Sequence, residues 1–413
     1  MDIIIGGGIT GLAYALFTSN KSLILEAEPE LGGYCKTTKR NGYVWDYSGH
    51  FFHFKDKDIE SIITRSLPIN AIRKVEKHTK IKYKDILVDF PFQKNIHQLS
   101  KEEFIDCLYD LFTAPTADFS TFKEMLYCKF GKSIADKFLI PYNSKLYACN
   151  LDSLDKDAMG RFFPYAEKED IIRNFKEKDN SSYNNTFDYP YNGAVEYVNA
   201  IRNNINNCEI RTNTKIVNID VESKMVVDSN GQKYHYDNLI STVPFPMLLS
   251  MCSMPPEENI YSWNIVVVFN LGFDRKGLNT DTHWIYFPEE KYCFYRVGFY
   301  DNVLNMDRMS LYVELGFDKD STIPLDTSLQ RVLDDLKEAG IVHEEKLVDY
   351  ECLVMNPAYV HINEKSTKHC QLMKAELKKQ NIYSIGRYGS WTYCSIEDNI
   401  KEARELADSI IKK

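Results

Sequence analysis

Apolar residues along this chain fall into three patterns, and each predicts a different kind of element. The first is a short unbroken run. Asp2-Ile3-Ile4-Ile5 has no polar alternation and stops at Gly6-Gly7-Gly8, which predicts a strand buried on both faces and a helix starting at Ile9. Leu23-Ile24-Leu25 repeats the pattern and closes on Glu26, Leu239 to Pro244 returns as another such strand, and Ile382 to Ile385 runs into a glycine turn. The second pattern is helical spacing. It covers Ser100 to Asp179, where Ser100-Lys101-Glu102-Glu103 opens like a capping box and Phe122 to Leu139 places apolar residues three and four apart. Further helices are predicted over 56–66, Ala194 to Asn204, Ser328 to Ala339 and from Ile396 onward. The third is strand alternation: a hairpin over Lys80 to Phe90, short strands over Glu209 to Tyr236 with a turn at Asn230-Gly231, and long strands over 262–318 suited to an antiparallel sheet covering a ligand. Lys176 to Asn185 is polar throughout and is expected to be a mobile loop.

The buried strands come from three separated stretches, so the predicted fold is α/β with a discontinuous Rossmann-like domain built from 1–75, 205–250 and 380–413. A helical insertion occupies 98–180, and 76–97, 181–204 and 251–379 form a mixed and antiparallel substrate domain. At 413 residues the chain exceeds one ordinary core. A net charge of −9 provides no field for nucleic acid, so an anionic ligand must be held by a local cluster of Arg and Lys. The ten cysteines are scattered without C-x-x-C spacing, which points to reduced thiols and a cytoplasmic location. No stretch approaches the ~20 apolar residues of a membrane span, and the apolar N-terminus lacks the basic flank of a signal peptide. His50 and His53 lie three apart on a strand or loop, a spacing that does not put them on one face, and no metal is expected.

Gly6, Gly8 and Gly11 satisfy the G-x-G-x-x-G dinucleotide fingerprint, in a strand–turn–helix context that ends its second strand on an acid. Gly6 allows the tight turn, Gly8 lets backbone approach a pyrophosphate, and Gly11 lets the helix pack on the strand. Glu26 is placed to accept a ribose hydroxyl. The second glycine pair, Gly32-Gly33, followed by Tyr34-Cys35-Lys36, resembles FAD-binding flavoproteins of the amine-oxidase type. FAD is therefore the expected cofactor, with NAD the minor alternative.

Further segments resemble the UDP-galactopyranose mutase family. Tyr47-Ser48-Gly49-His50-Phe51-Phe52-His53 is similar to its Y-G-x-H-x-F-H, and Tyr142-Asn143-Ser144-Lys145-Leu146-Tyr147 to its Y-T-x-K-Q-W. Arg161 stands where the family's mobile-loop arginine falls. Tyr189-Pro190-Tyr191-Asn192-Gly193 resembles I-P-x-G-G-Y, Tyr359 matches a family tyrosine, and Gly386 to Tyr393 resembles G-R-L-x-x-Y-x-Y. The segments keep the family's order over nearly the whole chain. The resemblance implies a pyranose–furanose mutase acting on a nucleotide sugar through a covalent adduct with N5 of reduced FAD, without net redox change, in cell-surface polysaccharide biosynthesis. By the same resemblance Arg387, Arg161, His53 and Tyr393 are catalytic, and Tyr142, Tyr147, Tyr359 and Trp391 bind substrate. The cofactor contacts it implies are Gly33, Lys36, His50, Val217, Gly386, Ser395 and Ile396, beside the fingerprint glycines and Glu26. Expected partners are the nucleotide diphosphate sugar, NAD(P)H or another reductant, and, as an option, a second copy of the chain in a homodimer.

The chain departs from that pattern at three places: Tyr147 replaces a tryptophan, Trp391 replaces a tyrosine, and Ser395-Ile396 replaces Asp-Met. These put the identity of the sugar and of the nucleotide in doubt. An amine-oxidase-like or protoporphyrinogen-oxidase-like flavoprotein is the competing reading, and a non-catalytic flavin-binding protein the third. An oxidase needs an apolar cavity, whereas a mutase needs arginines and hydroxyls around a diphosphate.

Overall fold

A computed structural model describes residues 1–68, 70–179 and 185–411. The short apolar runs lie side by side in a five-stranded parallel sheet, ordered Ile382–Ser384, Asn238–Ser241, Asp2–Ile5, Ser22–Leu25, Cys208–Arg211. Alternate residues feed two different cores, which is why no polar position interrupts the strands. Ile4, Ile24 and Ile240 pack under the helices Ile9–Phe17, Val195–Arg202 and Ile396–Ile411. Ile3, Leu23 and Leu239 pack on the other face against the helix Phe245–Met251 and a three-stranded sheet over 216–235.

The second sheet is mixed, ordered Leu347–Met355, Ser262–Phe273, Ser310–Asp318, Arg296–Phe299, Trp284–Tyr286, Thr79–Tyr83, Ile86–Asp89. Its pairs are antiparallel except for Trp284–Tyr286 on Thr79–Tyr83. Strand Ser262–Phe273 is also buried on both sides. Val266 and Val268 face the helical lobe, and Val267, Phe269 and Leu271 face the helix Leu325–Glu338 through Val332 and Leu336.

The helical lobe contains Lys101–Phe112, Phe122–Ile134, Ile140–Tyr147 and Lys168–Asn174. Ser100 caps the first helix through the Glu103 amide, and Thr121 with Glu124 forms a reciprocal capping box on the second. The helix expected to continue to Leu139 breaks at Gly131, whose φ of 74° and ψ of 167° are not helical. A Cβ there would lie 2.3 Å from the Asp110 carbonyl oxygen, so the kink lets two helices touch backbone to backbone. Helix Glu364–Lys379 was not anticipated. It buries little beyond Ser366, Cys370 and Leu377, so it shows no apolar stripe to read. Strands Ile72–Glu76 and Thr186–Pro190 pair antiparallel and were also not anticipated. Of the expected mobile loop at 176–185, residues 180–184 lie outside the described residues. All ten cysteines are free thiols.

Asp46 joins these parts. Its carboxyl is fully buried and accepts from Thr37 Oγ1 at 2.5 Å, from the Tyr189 hydroxyl at 2.7 Å and from the Ala194 amide at 3.2 Å. Its carbonyl accepts from Asn270 Nδ2 at 3.0 Å, and its amide donates to the Tyr300 hydroxyl at 3.2 Å. Burial raises its pKa to about 6 against the pull of those donors. Removing the carboxyl leaves several buried donors unpaired, at about 1–3 kcal/mol for each such group. Asp46→Ala is therefore expected to lower the unfolding free energy by about 3 kcal/mol or more, read from urea denaturation of the purified protein.

Candidate active site

The two sheets and the helical lobe enclose a cavity of about 770 Å³, in the upper part of the range of small-molecule and cofactor sites. One end is built by the glycine fingerprint. Gly6 has φ 103°, a conformation only glycine adopts without strain, and a Cβ on Gly11 would lie 2.0 Å from the Gly6 carbonyl oxygen. Gly11 does not line the cavity; it brings the helix onto the turn. Gly6, Gly8, Gly33 and Glu26 do line it. The first turn of helix Ile9–Phe17 carries no side-chain cap, so its amides and the positive end of its dipole are left to an anion in the cavity. Glu26 accepts from the Gly7 amide at 2.6 Å and from the Glu28 amide at 2.9 Å, one bond to each oxygen. Each oxygen keeps capacity for a ribose hydroxyl.

The middle is formed by Ser48 to His53, directly after Asp46. His50 and His53 both line the cavity. His53 Nδ1 lies 2.8 Å from the Thr186 carbonyl and so carries the proton, leaving Nε2 as the acceptor of a neutral ring. Burial, with Arg387 adding to it at His50 and Lys77 at His53, brings both histidines down to about 4, so both are neutral at pH 7. Beside them Arg296 holds Glu314 through two bonds of 2.6 and 2.7 Å, and the Ser48 hydroxyl donates to the same carboxylate. The two residues stand directly opposite on neighbouring strands. Each charge is tolerated in the interior because the other is present.

At the far end Arg387 sits on a short turn of helix, Gly386–Gly389, at the carboxyl end of strand Ile382–Ser384. Its guanidinium lies 4.6 Å from the Tyr393 ring centre and 5.3 Å from that of Tyr359, and its amide donates to Asn399 Oδ1 at 2.7 Å. Tyr142, on helix Ile140–Tyr147, packs against Tyr286 with ring centres 4.8 Å apart. Asn264 holds this helix and the Tyr359 loop together, donating to the Leu146 carbonyl and accepting from the Tyr359 amide at 2.7 Å. His50 Nδ1, Tyr295 OH, Tyr312 OH and Arg387 Nε are buried in the cavity wall without a hydrogen-bond partner among the described residues. Such groups are costly unless a ligand satisfies them, and their clustering fits a polar ligand.

The fold thus gathers Tyr142, Tyr359, Arg387, Tyr393, Ser395 and Ile396 around one cavity with the fingerprint glycines and the histidines. Other expected residues stand elsewhere. Tyr147 is 1% exposed, wedged edge-on against Phe122, Tyr359 and His361, so it supports the Tyr359 ring from behind and cannot stack on a base. Trp391 is buried against Tyr261, with Nε1 donating to the His361 carbonyl. The Val217 side chain points outward on its strand, while its neighbour Ile216 faces the cavity. Lys36 lies with its ammonium 5.3 Å over the Tyr47 ring, and Gly386, with φ 86°, packs its backbone on Thr10. Arg161 pairs with Asp398 at 2.6 Å on the outer side; its neighbour Phe162 reaches the cavity and meets Tyr393 edge-on at 5.0 Å. The sequence reading missed Arg296, Glu314, Ser48, Lys77 and Trp284, all of which line the cavity. A signal existed for the pair: Glu314 stands inside Leu311-Tyr312-Val313-Glu314-Leu315, and a lone charge in a buried strand demands a partner.

A parallel sheet carrying the glycine fingerprint, closed by a second sheet over a cavity with an open helix N-terminus and the Glu26 carboxylate in its wall, defines a flavin-binding oxidoreductase fold. Residues 13–411 match the family described as flavin containing amine oxidoreductase, and the chain belongs to that family. Among solved structures, that of reduced UDP-galactopyranose mutase superimposes with a TM-score of 0.90 at 24% identity, covering 100% of this chain and 93% of the other. A putative protoporphyrinogen oxidase from an Exiguobacterium species gives a TM-score of 0.76 at 18% identity, covering 100% and 99%. A fatty acid isomerase from P. acnes that produces CLA gives 0.64 at 13% identity, covering 99% and 98%. Chains this distant share the fold, and chemistry has to be argued from the site.

Gly11→Val is expected to abolish flavin retention, because its Cβ collides with the Gly6 carbonyl; the visible absorbance of the purified variant measures this. The neutral histidines give a pH dependence. His50, His53 and His283, each near 4 in the folded chain, bind fewer protons there than in the unfolded chain, where histidine titrates near 6.5. Stability is therefore complete above about pH 6.5 and is lost as the pH falls towards 4, by about 3 kcal/mol for each of these residues. Thermal unfolding across that window, compared with His283→Gln, is expected to show a shallower fall in the variant.

Proposed function

We propose that this chain is a nucleotide-sugar mutase that interconverts pyranose and furanose forms of the sugar, with bound FAD active in the reduced state. The observation that carries the reading is Arg387: a permanent cation in the cavity wall beside Tyr359 and Tyr393, whose buried Nε has no hydrogen-bond partner among the described residues. A planar donor fork flanked by hydroxyls suits a diphosphate whose charge grows as it leaves the anomeric carbon. The likeness in fold to UDP-galactopyranose mutase over the whole chain supports the same reading. FAD fits the fingerprint end, with Glu26 on its ribose, the helix start on its pyrophosphate, and Ser48 to His53 beside its ring. When reduced, it supplies a nucleophile for the anomeric carbon and regains its electrons, so the reaction is an isomerisation.

The chain's own residues supply the rest. Arg387 and the tyrosine hydroxyls bind and orient the diphosphate, and neutral His53 offers an acceptor nitrogen where a sugar hydroxyl must be held. Phe162 and Tyr393 close the outer side and keep water out. The Arg161–Asp398 pair ties the segment bearing Phe162 to the start of the last helix, next to Ser395, whose amide and hydroxyl also bond Asp398 at 2.8 Å. The amine oxidase family also includes oxidising enzymes, but the Arg296–Glu314 pair, the Arg387 guanidinium and the tyrosines that line this largely apolar cavity place charge and hydroxyl donors where a diphosphate needs them.

The test is to reduce the purified protein anaerobically, add a panel of nucleotide sugars and cyanoborohydride, and look by mass spectrometry for sugar-modified flavin. An adduct supports the proposal. Its absence across the panel, with oxygen-dependent turnover of an amine, overturns it in favour of an oxidase. Arg387→Ala is expected to keep FAD and lose at least about a hundredfold in kcat, since it removes charge stabilisation that matters most in the transition state. Arg161→Ala is expected to raise KM about tenfold with a smaller effect on kcat, as loss of loop closure would.

A further inference from the structure

We propose that the hairpin loop 287–294 is a monovalent-cation site whose resident cation is the Lys145 ammonium, and that this charge holds the Tyr142, Tyr286 and Tyr295 wall of the cavity in place. The loop joins the paired strands Trp284–Tyr286 and Arg296–Phe299. Four of its carbonyls, those of Phe287, Glu289, Tyr292 and Phe294, accept from Lys145 Nζ at 2.8, 2.9, 2.9 and 2.6 Å. An ammonium has three N–H groups, so four oxygens at such distances surround it as they would a bare ion. Carbonyl oxygens turned inward are also the donor set that replaces the water shell of potassium. Their dipoles point the same way and repel one another, so a loop of this shape requires positive charge at its centre. Burial brings the pKa of Lys145 down to about 8, with Cys293, Asp335, Glu289 and Glu290 acting against that shift, so the group is a cation at pH 7.

The site is joined to the cavity through both of its sides. Tyr142 and Lys145 are three apart on helix Ile140–Tyr147 and so share a face of it. The Tyr142 ring meets Tyr286 and Tyr295 with centres 4.8 and 6.3 Å apart, while the ammonium enters the loop just beyond them. Two of the carbonyls it takes belong to Phe287, which follows Tyr286, and to Phe294, which precedes Tyr295. The Phe287 amide donates to the Tyr295 carbonyl at 2.9 Å and closes the hairpin at the same level. All three tyrosines line the cavity, and the Tyr295 hydroxyl is buried without a hydrogen-bond partner among the described residues. Arg296 comes next in the chain, so the loop also sets the start of the strand that carries it. The helix end is fixed in turn: a Cβ on Gly316 would lie 2.2 Å from the Lys145 carbonyl oxygen, so backbone rests on backbone at strand Ser310–Asp318. On its outer side the loop is held by the Cys293 amide donating to Asp335 Oδ2 at 2.7 Å and by Arg331 Nη2 donating to the Lys291 carbonyl at 2.6 Å. Lys145 is therefore a positioning residue, acting on ligand through three rings it does not itself place in the cavity.

The experiment compares the flavin-loaded parent with Lys145→Met and Lys145→Ala at pH 7, by hydrogen–deuterium exchange over residues 140–147 and 284–296 and by titration with UDP. Lys145→Met keeps the length of the stem without its charge; it is expected to retain FAD, to speed exchange in both segments about tenfold or more and to weaken UDP about tenfold. In Lys145→Ala, potassium chloride or n-butylammonium chloride is expected to return exchange to within about twofold of the parent. Tetramethylammonium chloride at equal ionic strength is expected to leave it fast, since its methyl groups keep the charge away from the carbonyls. Exchange unchanged in Lys145→Met overturns the inference, as does an equal response of Lys145→Ala to all three salts, which would be screening alone. A loosened loop with UDP affinity intact overturns the link to the cavity wall. A parent protein that binds no UDP counts against the nucleotide-sugar reading instead, and exchange in the two segments with its rescue by cations then decides this inference. Should Lys145→Met not fold, Lys145→Gln, uncharged but with two donors, takes its place with the same expected direction.

Discussion

One buried carboxyl carries the geometry of this protein. Asp46 receives hydrogen bonds from the strand before it, from the start of helix Val195–Arg202 and from Tyr189, while its backbone is held by Asn270 of the second sheet and by Tyr300, just beyond the end of strand Arg296–Phe299. The chain leaves this point directly into Ser48 to His53, the segment that faces the flavin end of the cavity. Any shift of one sheet against the other would break bonds at Asp46 before it reached the histidines. A group so placed is costly to bury, and that cost is met because every donor around it is directed at it.

The same balance of burial and pairing sorts the charges of the cavity. Glu314 and Arg296 neutralise each other and are anchored by Ser48, so they shape the wall without adding net charge. His50 and His53 are neutral for the same reason, dehydrated and close to cations. Arg387 cannot shed its proton. A site of this kind keeps its donors oriented before any ligand arrives, and preorganised donors in a dry cavity act far more strongly on developing charge than the same groups in water.

Several features were legible from local pattern because their cause is local. The parallel strands showed as β-branched runs, the fingerprint turn as three spaced glycines, the helix starts as capping residues, and the Lys80 to Phe90 hairpin as alternation. Helix Glu364–Lys379 was not legible, because it leans on the sheet with few apolar residues and keeps its polar surface in water. The pair Ile72–Glu76 and Thr186–Pro190 was hidden too, since two strands more than a hundred residues apart declare each other only through tertiary pairing.

The candidate site divides along the same line. Gly6, Gly8, Glu26, Tyr142, Tyr359, Arg387 and Tyr393 stand in motifs whose order in the chain could be read, and the fold brings them to one cavity. Tyr147 and Trp391 belong to the same motifs, yet both turn into the interior, because burial of a large ring depends on neighbours that no motif specifies. Arg296, Glu314 and Lys77 are isolated charges in sequence and acquire meaning only from what faces them. The amino-acid sequence alone determined the flavin-binding architecture, through steric demands that glycine, capping residues and β-branched runs impose within a few residues. The tertiary structure decided which charges are paired, which are left for a ligand, and which rings reach it, since each of those depends on segments that meet only when the chain is folded.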